Sequence, residues 1–192
     1  MSLLEADSDR LLAALRGLLA EKGIASAEEI AATVSATDAA TPAQGARMVA
    51  KAWTDAAFRT FMLADGTRAA TSLGIPMRGL PPLGVLENTP RMHHLVVCTL
   101  CSCYPRAVLG YPPFWYKSAA YRARAVRDPR GLLAEWGTTL PAGVQLTVVD
   151  STASYRWMVL PLRPAATAGW SEAELAGVVR PGDMIGVTVP TV

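Results

Sequence analysis

Leu95-Val96-Val97-Cys98-Thr99-Leu100-Cys101-Ser102-Cys103-Tyr104 is the stretch on which the reading of this chain turns. Leu95 to Val97 is a short β-prone run. It leads straight into three cysteines within six residues, and the chain has no others. A disulfide framework needs dispersed, usually paired cysteines, so none is expected. The only two histidines, His93 and His94, are adjacent and just upstream. That leaves almost no material for a histidine-based triad, and both read as satisfied structural histidines.

A Cys-x-x-Cys-x-Cys cluster can bind in several ways. Structural zinc wants four N or S ligands in a tetrahedron, which the three cysteines plus His94 supply in principle. A redox Cys-x-x-Cys usually opens a helix, and nothing here opens one cleanly. An iron–sulfur cluster normally takes four cysteines, so one is missing. Cys101-Ser102-Cys103 offers a rarer set. Both sulfurs and the amide nitrogens of Ser102 and Cys103 can surround one metal in a near-planar array. Cys98 then caps one axial position and leaves the sixth octahedral position open, as a catalytic metal needs. Thiolates and deprotonated amides are strong donors, so that set calls for a trivalent, low-spin ion and gives zinc no geometric reason to bind.

Outward from the cluster, the chain changes character. The first seventy residues read helical. Leu11, Leu12, Leu15, Leu18 and Leu19 fall at helical spacing, with Gly23 as the stop. Ser26-Ala27-Glu28-Glu29 opens a short helix as a capping box. Thr41-Pro42 starts the next, carrying Met48, Val49, Ala52 and Trp53. Asp55 caps a turn with Phe58, Phe61 and Met62 on its apolar face, and Asp65-Gly66 ends it. Residues 74–92 are broken by Gly74, Pro76, Gly79, Pro81, Pro82 and Gly84 and read as a connection. A helix is expected from Pro113 to Trp136, interrupted at Asp128-Pro129. Two strands follow, Val144 to Val149 and Tyr155 to Leu160, around a turn at 150–153. Ser171 to Glu174 is another capping box. Met184 to Val189 reads as a last strand or a docking tail. The expected fold is α+β: a helical arm over 1–73, then a layered α-β-β-α body over 74–192. The cysteine loop lies between a strand and a helix.

The 192 residues carry a net charge of +2 and are 51% hydrophobic, which argues for an ordered fold and against a nucleic-acid-binding field. No stretch approaches the roughly 18 apolar residues of a membrane span. Met1 to Asp7 does not read as a secretion signal. Three closely spaced thiols without such a signal point to a reducing compartment, with cytoplasm as the default.

The Cys98–Cys103 hexapeptide resembles the metal-binding signature of the nitrile hydratase α subunit. Further resemblances run along most of the chain. They include Ala52 to Asp55, Glu87-Asn88-Thr89-Pro90, Trp115-Tyr116-Lys117-Ser118, Tyr121-Arg122-Ala123-Arg124, Asp150-Ser151-Thr152, Arg156 to Pro161 and Gly169 to Glu174. Thr99 and Tyr104 are similar to the cobalt branch of that family; the other branch carries Fe(III).

The resemblance implies that Cys98, Cys101 and Cys103 are sulfur ligands and that Ser102 and Cys103 add amide nitrogens. It implies a non-corrin Co(III), with Cys101 as a sulfinic acid and Cys103 as a sulfenic acid. The activity it implies is hydration of a small-molecule nitrile to its amide, with Cys101, Ser102 and Cys103 at the reacting centre. Tyr104 and Trp115 are expected beside the pocket. Asp150 and Arg156 are expected to hold the loop by hydrogen bonds, and Arg122 and Arg124 to pair with a partner or solvent. Arginines of a β subunit contact the oxidised sulfurs in this family, and here only Arg106 is basic near the cysteines in sequence. A β subunit, or two smaller β-like chains, is therefore an expected partner in a heterodimer or larger assembly. Related alternatives are the γ subunit of thiocyanate hydrolase and the α subunit of three-subunit enzymes such as toyocamycin nitrile hydratase. One departure is Gly79-Leu80-Pro81-Pro82-Leu83-Gly84, where relatives carry an amide or carboxylate.

Overall fold

A computed structural model describes residues 3–192. Met1 and Ser2, the start of the segment read as lacking a secretion signal, lie outside the described residues. The chain divides into two compact units, one ending at Ala39 and one spanning Ala40–Val192. The division expected near residue 73 thus falls at 39/40. Helices beyond residue 40 bury apolar faces in the larger unit and belong to it.

The smaller unit is a pair of helices, α1 (Leu3–Glu21) and α2 (Ala27–Asp38). Gly23 adopts φ +64° between them, a left-handed turn that glycine accepts without strain. Ser26 caps α2: its hydroxyl accepts from Glu29 N at 3.1 Å while Glu29 Oε2 accepts from Ser26 N at 2.8 Å. Leu11, Leu12, Leu15 and Leu18 of α1 are all exposed, Leu11 at 73%.

The larger unit begins with α3 (Pro42–Thr54), α4 (Ala56–Ala64) and α5 (Gly66–Ser72). Asp55 and Asp65 each serve as a helix cap, accepting from Phe58 N and Arg68 N at 2.9 Å. Asp65-Gly66 therefore ends one helix and starts the next. Met48, Val49, Ala52, Phe58 and Met62 are buried, as the periodicity requires.

Four strands follow: β1 (Leu83–Glu87), β2 (Met92–Val97), β3 (Gln145–Asp150) and β4 (Arg156–Leu160). β1 pairs in parallel with β4, Leu83 opposite Arg156. β2 pairs in parallel with β3, and Val97 stands opposite Asp150. β3 and β4 thus join different ladders instead of forming a hairpin. β1 lies inside the stretch read as a connection, because Pro81, Pro82 and Gly84 mask it. Gly84 is required there: a Cβ would fall 2.4 Å from the Trp157 ring on β4.

No last strand forms at Met184 to Val189. Met184 to Val187 is instead a buried turn whose carbonyls replace one. Val96 N donates to Ile185 O and Val159 N to Met184 O, each at 2.8 Å. The turn thereby satisfies an inner backbone group of each ladder. Helices α4 and α5 pack on β1. On the other side, α8 (Ala119–Arg127) packs on β2 and α9 (Pro129–Glu135) on β3. The α+β layering is as expected, and the cysteine loop runs from β2 into α6 (Arg106–Leu109). Among the described residues no helix is long and apolar enough to cross a membrane.

Candidate metal centre

The loop leaves β2 at Val97 and is fixed from several sides. Asp150 ends β3 directly opposite Val97, so its carboxylate reaches the first loop residue. Its Oδ1 accepts from Thr99 N at 3.0 Å and its Oδ2 from Thr99 Oγ1 at 2.5 Å. Cys98 is buried, and its sulfur accepts from Cys101 N at 3.3 Å. Tyr116, on α7 (Phe114–Lys117), donates its hydroxyl to Cys103 O at 2.8 Å.

These restraints gather the three sulfurs within 4.8 Å of one another. Cys98 and Cys101 sulfurs are 3.5 Å apart, and Cys101 and Cys103 sulfurs 3.3 Å. Those are not disulfide distances, which are about 2.05 Å. For metal–sulfur bonds of about 2.3 Å, two thiolates at a right angle are about 3.3 Å apart, and at a tetrahedral angle about 3.8 Å. The observed spacing suits adjacent corners of an octahedron better than a zinc tetrahedron. The donor set therefore fits the metal that the tripeptide pattern suggested.

The thiols differ in acidity. Cys101 is exposed and is drawn down to about 7, first by its contact with Cys103, then by Cys98 and by the Ser102 amide. Cys103 is pushed up to about 12, mainly by burial and then by its two sulfur neighbours, with the Arg156 charge acting in the opposite direction. The pair thus gives up its first proton at Cys101.

Cys101, Ser102, Cys103 and Tyr104 line a cleft of about 650 Å³ with Arg106, Lys117 and Arg156. No carboxylate lines it. The chain therefore surrounds its thiols with more positive charge than Arg106 alone. Arg106 stacks on Tyr111 at 4.4 Å and Lys117 on Phe114 at 4.8 Å. Arg156 Nη1 is buried without a hydrogen-bond partner among the described residues.

Tyr104 is a buried wall of the cleft, edge-on to Tyr116. Burial raises its phenol well above the ordinary tyrosine range. Trp115, expected beside the pocket, packs edge-on against Tyr116, Tyr121 and Trp136. Arg124 pairs with Asp128 and Glu135 of this chain. Arg122 turns to the loop, donating to Leu100 O at 2.9 Å and Cys101 O at 3.3 Å. Its helical position four residues after Ser118 carries no sign of that, because the contact depends on where α8 docks. His93 and His94 bond to Asn88 and Gly186 away from the sulfurs.

A sequence profile described as nitrile hydratase, alpha chain, matches residues 6–188. This chain belongs to that family. A low-molecular weight cobalt-containing nitrile hydratase subunit alpha from Rhodococcus rhodochrous is 47% identical over 179 residues, covering 93% of this chain and 86% of the relative. Thiocyanate hydrolase subunit gamma from Thiobacillus thioparus is 43% identical, over 96% of this chain and 80% of its own length. Among solved structures, a double mutant of Fe-type nitrile hydratase from Comamonas testosteroni Ni1 superposes with a TM-score of 0.86 at 40% identity, covering 96% and 91% of the two chains. A recombinant thiocyanate hydrolase with partially modified cobalt centers gives 0.90 at 42% identity, covering 100% and 91%. The fold of this chain is thus shared with an Fe-type nitrile hydratase and with a cobalt-containing thiocyanate hydrolase.

Proposed function

We propose that this chain is the metal-holding catalytic subunit of a nitrile hydratase, adding water across a nitrile C≡N bond to give the amide. The carrying observation is the cysteine triad, its three sulfurs within 4.8 Å of one another, with Cys101 and Cys103 lining an open cleft. The resident metal in this reading is a non-corrin low-spin Co(III), favoured by Thr99 and Tyr104, with Fe(III) as the alternative. Cys98, Cys101 and Cys103 hold it through sulfur, and Ser102 and Cys103 through their amide nitrogens. When bound, it supplies a Lewis acid that makes the nitrile carbon electrophilic.

The chain's own residues do the rest. Asp150, through Thr99, and Tyr116, through the Cys103 carbonyl, keep the loop in one shape. Cys101 is a sulfinic and Cys103 a sulfenic acid in this proposal. Deprotonated as a sulfenate, Cys103 would serve as the nucleophile or as the base that activates water, from a residue that lines the cleft. Tyr104 closes the inner wall. A trivalent metal held by three anionic sulfur ligands and two amide anions would carry net negative charge, which the cations at 106, 117 and 156 would balance.

The proposed partner is a β subunit, or two shorter β-like chains, completing the cleft in a heterodimer or larger assembly. Leu100 and Phe114, at 86% and 89% exposed, and the exposed Tyr111 surround the site on a surface too apolar to leave in water. The leucines of α1 present a second such surface, suited to wrapping that partner. The proposed compartment is the cytoplasm, a reading supported by three closely spaced cysteines with no disulfide between them.

A second reading is a thiocyanate hydrolase γ subunit. It is favoured by the carboxylate-free, cationic cleft, because thiocyanate is an anion. The test is turnover by the purified complex. Amide without ammonia supports nitrile hydration; ammonia with carbonyl sulfide supports the second reading. Metal analysis finding no cobalt or iron in active complex overturns both. An intact mass without the increment of about 48 Da for three added oxygens overturns the oxidation states.

A further inference from the structure

Arg122 is the residue of this loop's surroundings that the proposed chemistry leaves unexplained. It sits on α8, whose orientation is set by its neighbour. Tyr121 is buried and donates its hydroxyl to Val96 O on β2 at 2.6 Å. Trp115 and Trp136 pack against the Tyr121 ring at 5.0 and 5.7 Å. Ser118 caps the helix by accepting from Tyr121 N at 3.1 Å. With Tyr121 anchored to the last turn of strand before the cysteines, Arg122 is delivered to the loop itself.

One guanidinium nitrogen, Nη1, meets two consecutive carbonyls, Leu100 O and Cys101 O, at 2.9 and 3.3 Å. Nε is buried and has no partner among the described residues. No described ion pair involves Arg122, so no carboxylate neutralises it. A whole positive charge is therefore spent on two peptide oxygens. Arg124, two residues on and so on nearly the opposite face of α8, spends its charge on two carboxylates instead.

The identity of the second oxygen gives this meaning. Cys101 O and Ser102 N belong to one peptide group and share its π electrons. A peptide nitrogen that binds a trivalent metal as an anion pushes negative charge onto its own carbonyl oxygen. That oxygen is where Arg122 stands. A neutral donor would meet the same lone pair, but only a cation offsets the added charge.

We infer that Arg122 is a positioning residue of the metal loop, which holds the Cys101–Ser102 peptide and supplies the positive charge that lets the Ser102 nitrogen serve as an anionic ligand. The inference rests on the amide-ligand reading above. It assigns the charge to this chain, not to the partner, and to the backbone donor, not to the sulfurs.

The experiment uses the complete purified complex in four forms: wild type, R122K, R122Q and R122A. Three quantities are read: metal per chain after a fixed exposure to chelator, the ligand-to-metal absorption band, and the thermal midpoint. Glutamine can donate to the same carbonyl without charge; lysine keeps the charge on one flexible donor. The expected result is that R122Q and R122A release metal roughly 10–100-fold faster and shift the band, the range typical of groups that orient metal ligands. R122K stays near wild type in both, and all four thermal midpoints agree closely. R122Q behaving like R122K overturns the inference, since hydrogen bonding alone then suffices. A large fall in the thermal midpoint, or failure of R122Q to fold, also overturns it, since Arg122 then serves the fold. Wild-type complex without a trivalent metal, or with a band lacking amide ligation, defeats the underlying reading instead.

Discussion

The two ends of β2 carry the chain's only histidines and its only cysteines, and they are built on opposite terms. At the N-terminal end, both ring nitrogens of His93 and the Nδ1 of His94 find partners inside the chain. His93 Nε2 donates to Gly186 O at 2.8 Å, and its Nδ1 accepts from Asn88 Nδ2 at 3.2 Å. Asn88 Oδ1 accepts from both His94 N and His94 Nδ1, at 2.8 and 3.1 Å. At the C-terminal end, three thiols lie close together, and buried nitrogens of Arg122 and Arg156 lack partners among the described residues. Closure marks the first end as framework. The second end gathers reactive and charged groups at an open cleft, as a functional site does.

The largest expected effect tests the closed end. Gly186 has φ +82°, and a Cβ there would lie 1.8 Å from His94 O. Gly186→Ala must therefore displace the turn that bonds β2 and β4. A loss of about 3 kcal/mol or more is expected, in the range of strained or overpacked sites. Chemical denaturation of the complex checks it. A loss below about 1 kcal/mol would mean that the turn yields and does not hold the ladders together.

Asp150→Ala tests the open end. The carboxylate is exposed, and its two bonds go only to Thr99. The fold should keep its thermal midpoint within the small range of surface substitutions, about 0.5 kcal/mol. Metal affinity should fall roughly 10–100-fold. Competition against a chelator of known affinity measures it. If stability falls and metal binding does not, the division between the two ends is wrong.

Local signals made much of this legible. The capping boxes at Ser26 and Ser171, the cap at Asp55 and the β-prone apolar runs in β2 and β4 report on their own few residues. The cysteine hexapeptide is equally local: its donor spacing is written in consecutive residues. What stayed hidden depends on docking. β1 looked like loop because its glycine is dictated by Trp157, over seventy residues away. The Met184–Val189 segment has strand composition but turns, because it must reach two ladders at once. Arg122 looked like a surface charge, since only the packing of Tyr121 on β2 brings it over the loop. The cations around the cleft come from three separate elements and are not adjacent in sequence.

The smallest expected effect is a pH dependence, and its sign follows from the geometry of His93. The neutral ring with its proton on Nε2 satisfies both neighbours. A second proton on Nδ1 would face the Asn88 amide donor, which cannot flip without abandoning His94 N. Burial is the main reason that His93 is held below its ordinary value of 6.5; the nearby Arg130 charge adds to it and the Gly186 bond opposes it. His94 is lowered as well, by burial first and then by His93. Both groups bind protons more readily in the unfolded chain. Their contribution is fully present above the unfolded value of 6.5 and is lost as pH falls through the lowered folded values. Thermal midpoints of the wild-type complex should fall between pH 7.5 and 5, and His93→Gln should flatten part of that slope while leaving the metal band unchanged. A slope that survives the substitution, or a band that moves with it, would show that the closed end of β2 is coupled to the open one, and the distinction drawn between them would fail.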